Sequence, residues 1–179
     1  MADAARITTV EMHTAGEPVR IITGGWPPLE GATLLAKRRF AEQRQDHLRR
    51  LLMREPRGHA DMYGALLVEP DLGEADLATL FLHNEGYSTM CGHAVIALAR
   101  FAVERGLVAA QEPETVVRIQ CPCGLVTARA EVTDGRAGRV SFASVPAFAF
   151  ARDAVVVTDG FGPVTLDIGY GGAFYGVLA

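Results

Sequence analysis

The chain has 179 residues, of which 49% are hydrophobic, and it carries a formal net charge of −4 at pH 7. A chain of this length and apolar content can bury the core of one domain. Its acidic balance does not favour nucleic acid or an anionic membrane surface as a partner, so neither is expected.

Signals for export and membrane insertion are weak in this sequence. The start, MADAARITTV, lacks the basic segment followed by an apolar segment that a secretory signal needs. The most apolar run, from Ala94 to Ala99, is too short to cross a bilayer. Three cysteines are too few for a disulfide framework, so we expect a soluble protein of the reducing cytoplasm.

The first part of the chain predicts a hairpin and then a helix. β-Branched residues on both sides of Thr14 to Pro18 predict two paired strands. From Leu34 to Leu52 apolar residues recur at near-helical spacing, which predicts one long helix with Thr33 as its N-cap. The basic residues of this helix are interleaved with Glu42 and Asp46 and lack aromatic stacking partners, so a solvated face is the better interpretation than a nucleic-acid site.

The rest of the chain predicts a second helix among many short strands. ALLVEP and ADLATLFLH have strand length and should pair, and the stretch from Ala94 to Glu104 predicts a helix ended by Gly106. Roughly eight to ten strands and two helices without regular βαβ alternation indicate an α+β fold. The sequence runs into an apolar strand at YGGAFYGVLA, and we therefore expect the chain to be part of a longer protein.

The stretch STMCGHAV places Cys91 immediately before the second helix. A free cysteine often packs as a small apolar side chain. At the first turn of a helix, however, a thiol faces unpaired N–H groups and the positive end of the helix dipole, which favour the thiolate. The N–H groups of Gly92 and His93 would bind a carboxylate there, and His93 could stabilise the thiolate. We therefore expect Cys91 to be the most reactive of the three thiols.

Two other chemistries would use the same cysteine. Cys91, His93, Cys121 and Cys123 make a set of soft zinc ligands, but the single residue between Cys121 and Cys123 is fewer than the about two to four that usually separate paired zinc ligands. A cysteine hydrolase with a remote histidine such as His59 lacks a favourably placed aspartate or asparagine. We expect no metal and no cofactor, and a zinc-stabilised binding module is the rival of a different class.

The segments EMHTAGEP, LLAKRRF, EPRGHADMYGA and LFLHNEGYSTMCGHAVIALARF together resemble the proline racemase family, from about Thr8 to the end of the chain. Within that family, HNEGYSTMCGHAV and CPCGLVTA are most similar to the trans-3-hydroxy-L-proline dehydratases. The resemblance implies one half of a fold of the diaminopimelate-epimerase type. In that fold two pseudo-symmetric halves each wrap strands around a central helix, and one catalytic residue from each half faces the other across a cleft.

The same resemblance implies site residues and an activity. The catalytic cysteine lands on Cys91, the contacts with the substrate carboxylate on the backbone of Gly92 and His93, and an aromatic pocket residue on Tyr63. Residues 1–179 would be the N-terminal half, inactive without an absent C-terminal half and needing no cofactor. The implied reaction is dehydration of trans-3-hydroxy-L-proline, with proline racemisation or 4-hydroxyproline 2-epimerisation as the alternative.

In a dehydratase of this kind, Cys91 would take the Cα proton while an acid of the missing half helps the hydroxyl to leave. The resulting enamine would tautomerise to a cyclic imine. The implied partners are the small imino acid and the missing half of the same protein, and the resemblance leaves a homodimer open.

Overall fold

The computed structural model describes residues 6–178, so Ala179 and the first five residues, where a leader would begin, lie outside it. The helices are α1 (Leu34–Arg44), α2 (Asp46–Met53) and α3 (Gly92–Glu104). The strands are β1 (Thr8–Thr14), β2 (Glu17–Gly24), β3 (Tyr63–Val68), β4 (Leu77–His83), β5 (Tyr87–Ser88), β6 (Glu114–Cys121), β7 (Gly124–Thr133), β8 (Arg136–Ala143), β9 (Phe148–Thr158), β10 (Gly162–Tyr170) and β11 (Phe174–Val177).

These strands form two sheets. The larger has eight strands in the spatial order β1-β2-β3-β4-β6-β7-β8, with β5 paired to β4. Its β2–β3 and β4–β6 pairs are parallel. The predicted hairpin β1–β2 and the predicted pair β3–β4 are both present, and both are antiparallel. The smaller sheet has the order β11-β10-β9. The described residues thus hold eleven strands, more than the eight to ten predicted.

Helix α3 lies at the centre of the larger sheet. It packs against β1, β2, β3, β6, β7 and β8, so the sheet wraps around it. Its sequence GHAVIALARFAVE is apolar nearly all round, and Val95 and Leu98 are fully buried. A helix without a polar face must be enclosed to bury its side chains. This arrangement confirms the predicted α+β fold with strands around a central helix.

The single long helix predicted from Leu34 to Leu52 is wrong, because the chain breaks at Gln45 into α1 and α2. Thr33 caps α1 as predicted, since its hydroxyl accepts a 3.2 Å hydrogen bond from the N–H of Ala36. The Gln45 side chain accepts a bond from the Trp26 indole and donates one to a loop carbonyl. These contacts hold Gln45 outside helical geometry and account for a third helix where two were expected.

Exposed apolar side chains concentrate on the smaller sheet and its turns. Val157 is 79% exposed, Phe161 87% and Tyr175 67%, and other phenylalanines and valines of β9 to β11 join them. Contiguous apolar surface of this kind usually marks an interface. Within residues 6–178 no helix has the length and hydropathy needed to span a bilayer.

Candidate active site at the start of the central helix

Cys91 is the N-cap of α3, so the helix begins two residues before the predicted Ala94. The Cys91 backbone is extended, with φ −150° and ψ 103°, and its carbonyl accepts the first intrahelical bond, from Val95. The Cys91 Sγ lies 3.3 Å from Nδ1 of His93 and 3.8 Å from Nε2. The fold therefore places a thiol and an imidazole in direct contact at a helix N-terminus.

The electrostatics of Cys91 differ from the sequence expectation. Burial raises the pKa of the Cys91 thiol to about 12, although the N–H of Ala94 lowers it, and the negative charge of Glu17 raises it further. The side chain is only 6% exposed, so loss of solvation outweighs the helix N-terminus. In this chain by itself Cys91 holds its proton at neutral pH.

The other two thiols lie at the turn between β6 and β7. Cys121 is buried and Cys123 is half-buried. A hydrogen bond from the Cys121 thiol holds the pKa of Cys123 below its usual value, and the same bond, with burial, raises the pKa of Cys121. These pKa directions favour ionisation of Cys123 over Cys91 in the isolated chain, the reverse of the order expected from the sequence, and alkylation of the three thiols tests that expectation.

Tyr63 completes the cluster. It is the first residue of β3 and pairs with His83 in β4. Its ring centroid lies 4.9 Å from that of His93 in an edge-to-face arrangement and 5.6 Å from that of His83. Burial raises the pKa of Tyr63, as does negative charge on Cys91, so the phenol keeps its proton. The structure thus brings Tyr63, His93 and Cys91 together, as the resemblance implied.

The start of α3 offers a place for an anion. The first N–H groups of a helix, here those of Gly92 and His93, have no intrahelical partner. A Cβ on Gly92 would lie 3.1 Å from the ring of Phe142, so the glycine allows the helix start to pack against β8. Two backbone donors next to the Cys91 thiol can hold a carboxylate beside a base.

The hairpin turn between β1 and β2 contributes two residues that the sequence analysis missed. The Thr14 hydroxyl donates a 2.8 Å hydrogen bond to the carbonyl of His93. Glu17 pairs with Thr14 across the turn, and its negative charge raises the pKa of both Cys91 and Tyr63. The segment EMHTAGEP carries these residues, but only a contact across 79 positions reveals their place at the site.

Asn84 is a third missed residue, and it holds the loop that leads into Tyr63. Its side-chain nitrogen donates to the carbonyls of Met53, at 2.6 Å, and His59, at 2.9 Å. Its side-chain oxygen accepts a 3.1 Å bond from the N–H of Met62. One side chain thereby fixes both ends of the loop 54–62.

A cavity of about 390 Å³ opens beside this loop, with Tyr63, His83 and Glu85 among its lining residues. The N–H of Glu85 donates to Nδ1 of His83, so His83 Nε2 is the nitrogen that carries a hydrogen. Burial lowers the pKa of His83, which favours the neutral ring. Tyr63 is therefore shared between this cavity and the cluster that it forms with His93 and Cys91.

The two rival chemistries, a cysteine hydrolase with His59 and a zinc site, depend also on residues outside this cluster. Nδ1 of His59 lies 2.6 Å from the carbonyl of Ala60, in the loop before Tyr63. Across residues 6–178, no three or more histidine, cysteine or acidic side chains are grouped so that they could hold a metal ion. A metal assay on the purified chain is the direct test of the zinc-stabilised module.

Curated proteins of known name are similar in sequence to this chain. A trans-L-3-hydroxyproline dehydratase of Xenopus tropicalis is 59% identical over 178 residues, which are 99% of this chain and 51% of the relative. A 3-hydroxyproline 2-epimerase of Burkholderia multivorans is 52% identical over 169 residues, 94% of this chain and 50% of that protein. The chain spans about half the length of these curated relatives.

A solved structure has the same fold. The hydroxyproline epimerase from Agrobacterium vitis, determined with bound trans-4-OH-L-proline, superposes with a TM-score of 0.88 at 30% identity, covering 99% of this chain and 53% of that one. The predicted likeness to one half of such an enzyme is confirmed for the fold. The family model described as proline racemase matches residues 9–179, and the chain therefore belongs to the proline racemase family.

Proposed function

We propose that this chain is the N-terminal half of a cofactor-independent trans-3-hydroxy-L-proline dehydratase in which Cys91 removes the Cα proton. The observation that carries the proposal is the contact of 3.3 Å between the Cys91 thiol and His93 at the start of a buried helix. The 59% identity to a dehydratase over nearly the whole chain supports the choice of substrate.

The site suits a small zwitterion with an apolar ring. The substrate carboxylate would accept hydrogen bonds from the N–H groups of Gly92 and His93, where the helix dipole favours negative charge. The ring would pack against Tyr63. Binding at this place puts the Cα proton next to the Cys91 thiol, as proton abstraction requires.

Removing a Cα proton without a cofactor needs a strong base in a site closed to water. A thiol whose pKa lies near 12 is a strong base once ionised, but few molecules carry the thiolate at neutral pH. The ammonium group of the substrate and a cationic His93 would stabilise the thiolate in the assembled site. The raised pKa of Cys91 in the half alone is consistent with a base that is activated only by assembly.

We further propose that the second half of the same protein covers the exposed apolar face of β9 to β11. The relatives are about twice as long as this chain, and Phe150, Phe161 and Tyr175 are more than half exposed. The three free thiols support a location in the cytoplasm, where disulfides rarely form. A homodimer, in which a second copy of the assembled protein covers this face, is the alternative.

Sedimentation velocity tests the assignment of this face. The 179-residue chain should self-associate with rising concentration, because an uncovered apolar sheet finds another copy. Phe150→Thr together with Phe174→Thr should weaken the association, and both side chains are more than half exposed, so the fold should survive. A chain that stays monomeric at every concentration would count against an uncovered interface.

The reaction is tested in the completed enzyme, meaning this chain joined to the second half of its own protein or, failing that, of the Xenopus tropicalis relative. In deuterated water it should convert trans-3-hydroxy-L-proline to a cyclic imine that borohydride traps as proline. The epimerase from Burkholderia multivorans makes isomerisation the second candidate. Accumulation of epimerised hydroxyproline, or of D-proline from L-proline, with deuterium at Cα would select it. The 179-residue chain alone should show negligible turnover in either assay, because one half leaves the site open to water.

A further inference from the structure

The stereochemistry of the substrate determines where the acid that assists the hydroxyl must lie. In trans-3-hydroxy-L-proline the hydroxyl is on the ring face opposite the carboxylate. It is therefore on the same face as the Cα proton. Loss of both groups is a syn elimination, so base and acid approach the ring from one side. Given the dehydration proposed above, with Cys91 as the base, the acid must reach the ring from the Cys91 side, so proton donors of this chain beside Cys91 are the first candidates, whereas the sequence analysis assigned the acid to the absent half.

The His93 side chain is in direct contact with the Cys91 thiol and can donate a proton. Both of its ring nitrogens lie within 3.8 Å of the Cys91 Sγ, at 3.3 and 3.8 Å. The Cα proton and the hydroxyl on the neighbouring carbon of the substrate are also only a few bonds apart on one ring face. The Cys91 thiol and the His93 imidazole, 3.3 Å apart, can therefore reach one group each. The Thr14 hydroxyl donates its hydrogen to the His93 carbonyl, and the Tyr63 ring packs edge to face against the imidazole, with the centroids 4.9 Å apart. These two contacts hold the His93 backbone and ring in place.

We propose that the His93 imidazole is the general acid that protonates the departing hydroxyl. The step begins from the thiolate of Cys91 and the imidazolium of His93. The Cα–H bond breaks as the S–H bond forms, and its electron pair becomes the new ring double bond. The bond from the neighbouring carbon to oxygen breaks, and the oxygen takes a proton from His93 and leaves as water. Transfer of the thiol proton to the neutral imidazole, across the 3.3 Å contact, restores the starting pair.

A change of leaving group tests this assignment in the completed enzyme. Chloride leaves without a proton, so trans-3-chloro-L-proline should need the base but not the acid. His93→Gln keeps a hydrogen-bonding side chain of similar size but cannot release a proton. It should slow water loss from the hydroxy substrate about a hundredfold or more while slowing chloride loss much less, in line with the usual contribution of a general acid. Cys91→Ser should abolish both reactions.

Several outcomes are decisive. Equal slowing of both substrates in a folded His93→Gln variant would show that His93 only supports the thiolate, and the proposal would fail. Selective rescue of Tyr63→Phe by the chloro substrate would move the acid to Tyr63. Circular dichroism checks that the variant folds, and His93→Asn provides a second variant under the same criterion. A wild-type enzyme that does not dehydrate the hydroxy substrate would instead overturn the proposed function itself.

Discussion

The backbone N–H of Met62 donates a 3.1 Å hydrogen bond to the side-chain oxygen of Asn84, and this bond fixes the residue that precedes Tyr63. The nitrogen of the same side chain donates to the carbonyls of Met53 and His59. The end of β4 therefore holds the end of α2 and the start of β3 in one arrangement. The position of the Tyr63 ring depends on it.

Replacing Asn84 by alanine should destabilise the chain, because three hydrogen bonds are lost and partly buried backbone groups are left unpaired. We expect a loss of about 2–4 kcal/mol in the free energy of unfolding, from about 1 kcal/mol for each bond. Urea unfolding measures it. Gln43→Ala, on the exposed face of α1, is the control and should change stability by less than about 0.5 kcal/mol. Equal stabilities of the two variants would show that the Asn84 contacts contribute little.

Adjacent glycines at the turn between β10 and β11 provide a matched pair. Gly172 has φ +101°, and a Cβ there would lie 2.7 Å from Met90 Cγ, next to Cys91. A Cβ on Gly171 would meet nothing within 4 Å. Gly172→Ala should therefore cost about 1–3 kcal/mol of stability through backbone strain and the clash with Met90, and Gly171→Ala much less. Thermal unfolding of the two variants side by side decides the matter, and a Gly172→Ala variant as stable as Gly171→Ala would rule out this close packing.

Alkylation should distinguish the three thiols of the 179-residue chain. Iodoacetamide at pH 8 should modify Cys123 first, at least about tenfold faster than Cys91, because only the thiolate reacts. The pKa of Cys123 is lowered by the Cys121 thiol, while that of Cys91 is raised by burial. Peptide mapping over time gives the order, and Cys123→Ser should remove the fast phase. A fast phase that persists in this variant and maps to Cys91 would restore the original expectation of an activated thiolate.

The acid stability of the chain should depend on Asp46. A hydrogen bond from Arg49, which is 3% exposed, lowers the pKa of Asp46 below its ordinary value of 3.8. A lowered folded-state pKa means that the carboxylate stabilises the fold above pH 3.8 and that this contribution is lost as the pH falls through the folded-state value. Asp46→Asn should thus be less stable than the unchanged chain at pH 7. The difference should shrink in more acidic urea titrations, and a gap that widens with acid would contradict the assignment.

Local patterns predicted the elements that local forces decide. The hairpin around Thr14 to Pro18, the Thr33 cap and the helix ended by Gly106 each depend on residues close together in sequence, and all three are present. The break at Gln45 was missed because its cause is tertiary. Trp26 and a distant carbonyl bind a side chain that helical periodicity alone would leave inside one long helix.

The site, too, combines features set by local sequence with features set by tertiary contacts. The sequence placed Cys91 at a helix N-terminus, but its pKa depends on how deeply strands distant in the chain bury it, and the helix dipole is the weaker influence. Tyr63 and His93 were each named as site residues by a family resemblance, but their contact was not predicted, since no local pattern joins a strand start to a helix start 30 residues later. The hydrogen bonds of the Asn84 side chain and the bond from Thr14 to His93 join residues far apart in sequence, so they could be found only in the folded chain.

The central claim is that Cys91 is the base of a dehydratase, and the most direct test is the rate of cyclic-imine formation from trans-3-hydroxy-L-proline by the completed enzyme with and without this thiol. Serine is close to cysteine in size and in hydrogen bonding but is a far weaker acid, so almost no alkoxide is available as a base at neutral pH. We predict that Cys91→Ser lowers the rate by about a thousandfold or more, within the range known for loss of a general base. A variant that retains a tenth or more of the rate would contradict the account, because another group would then remove the proton.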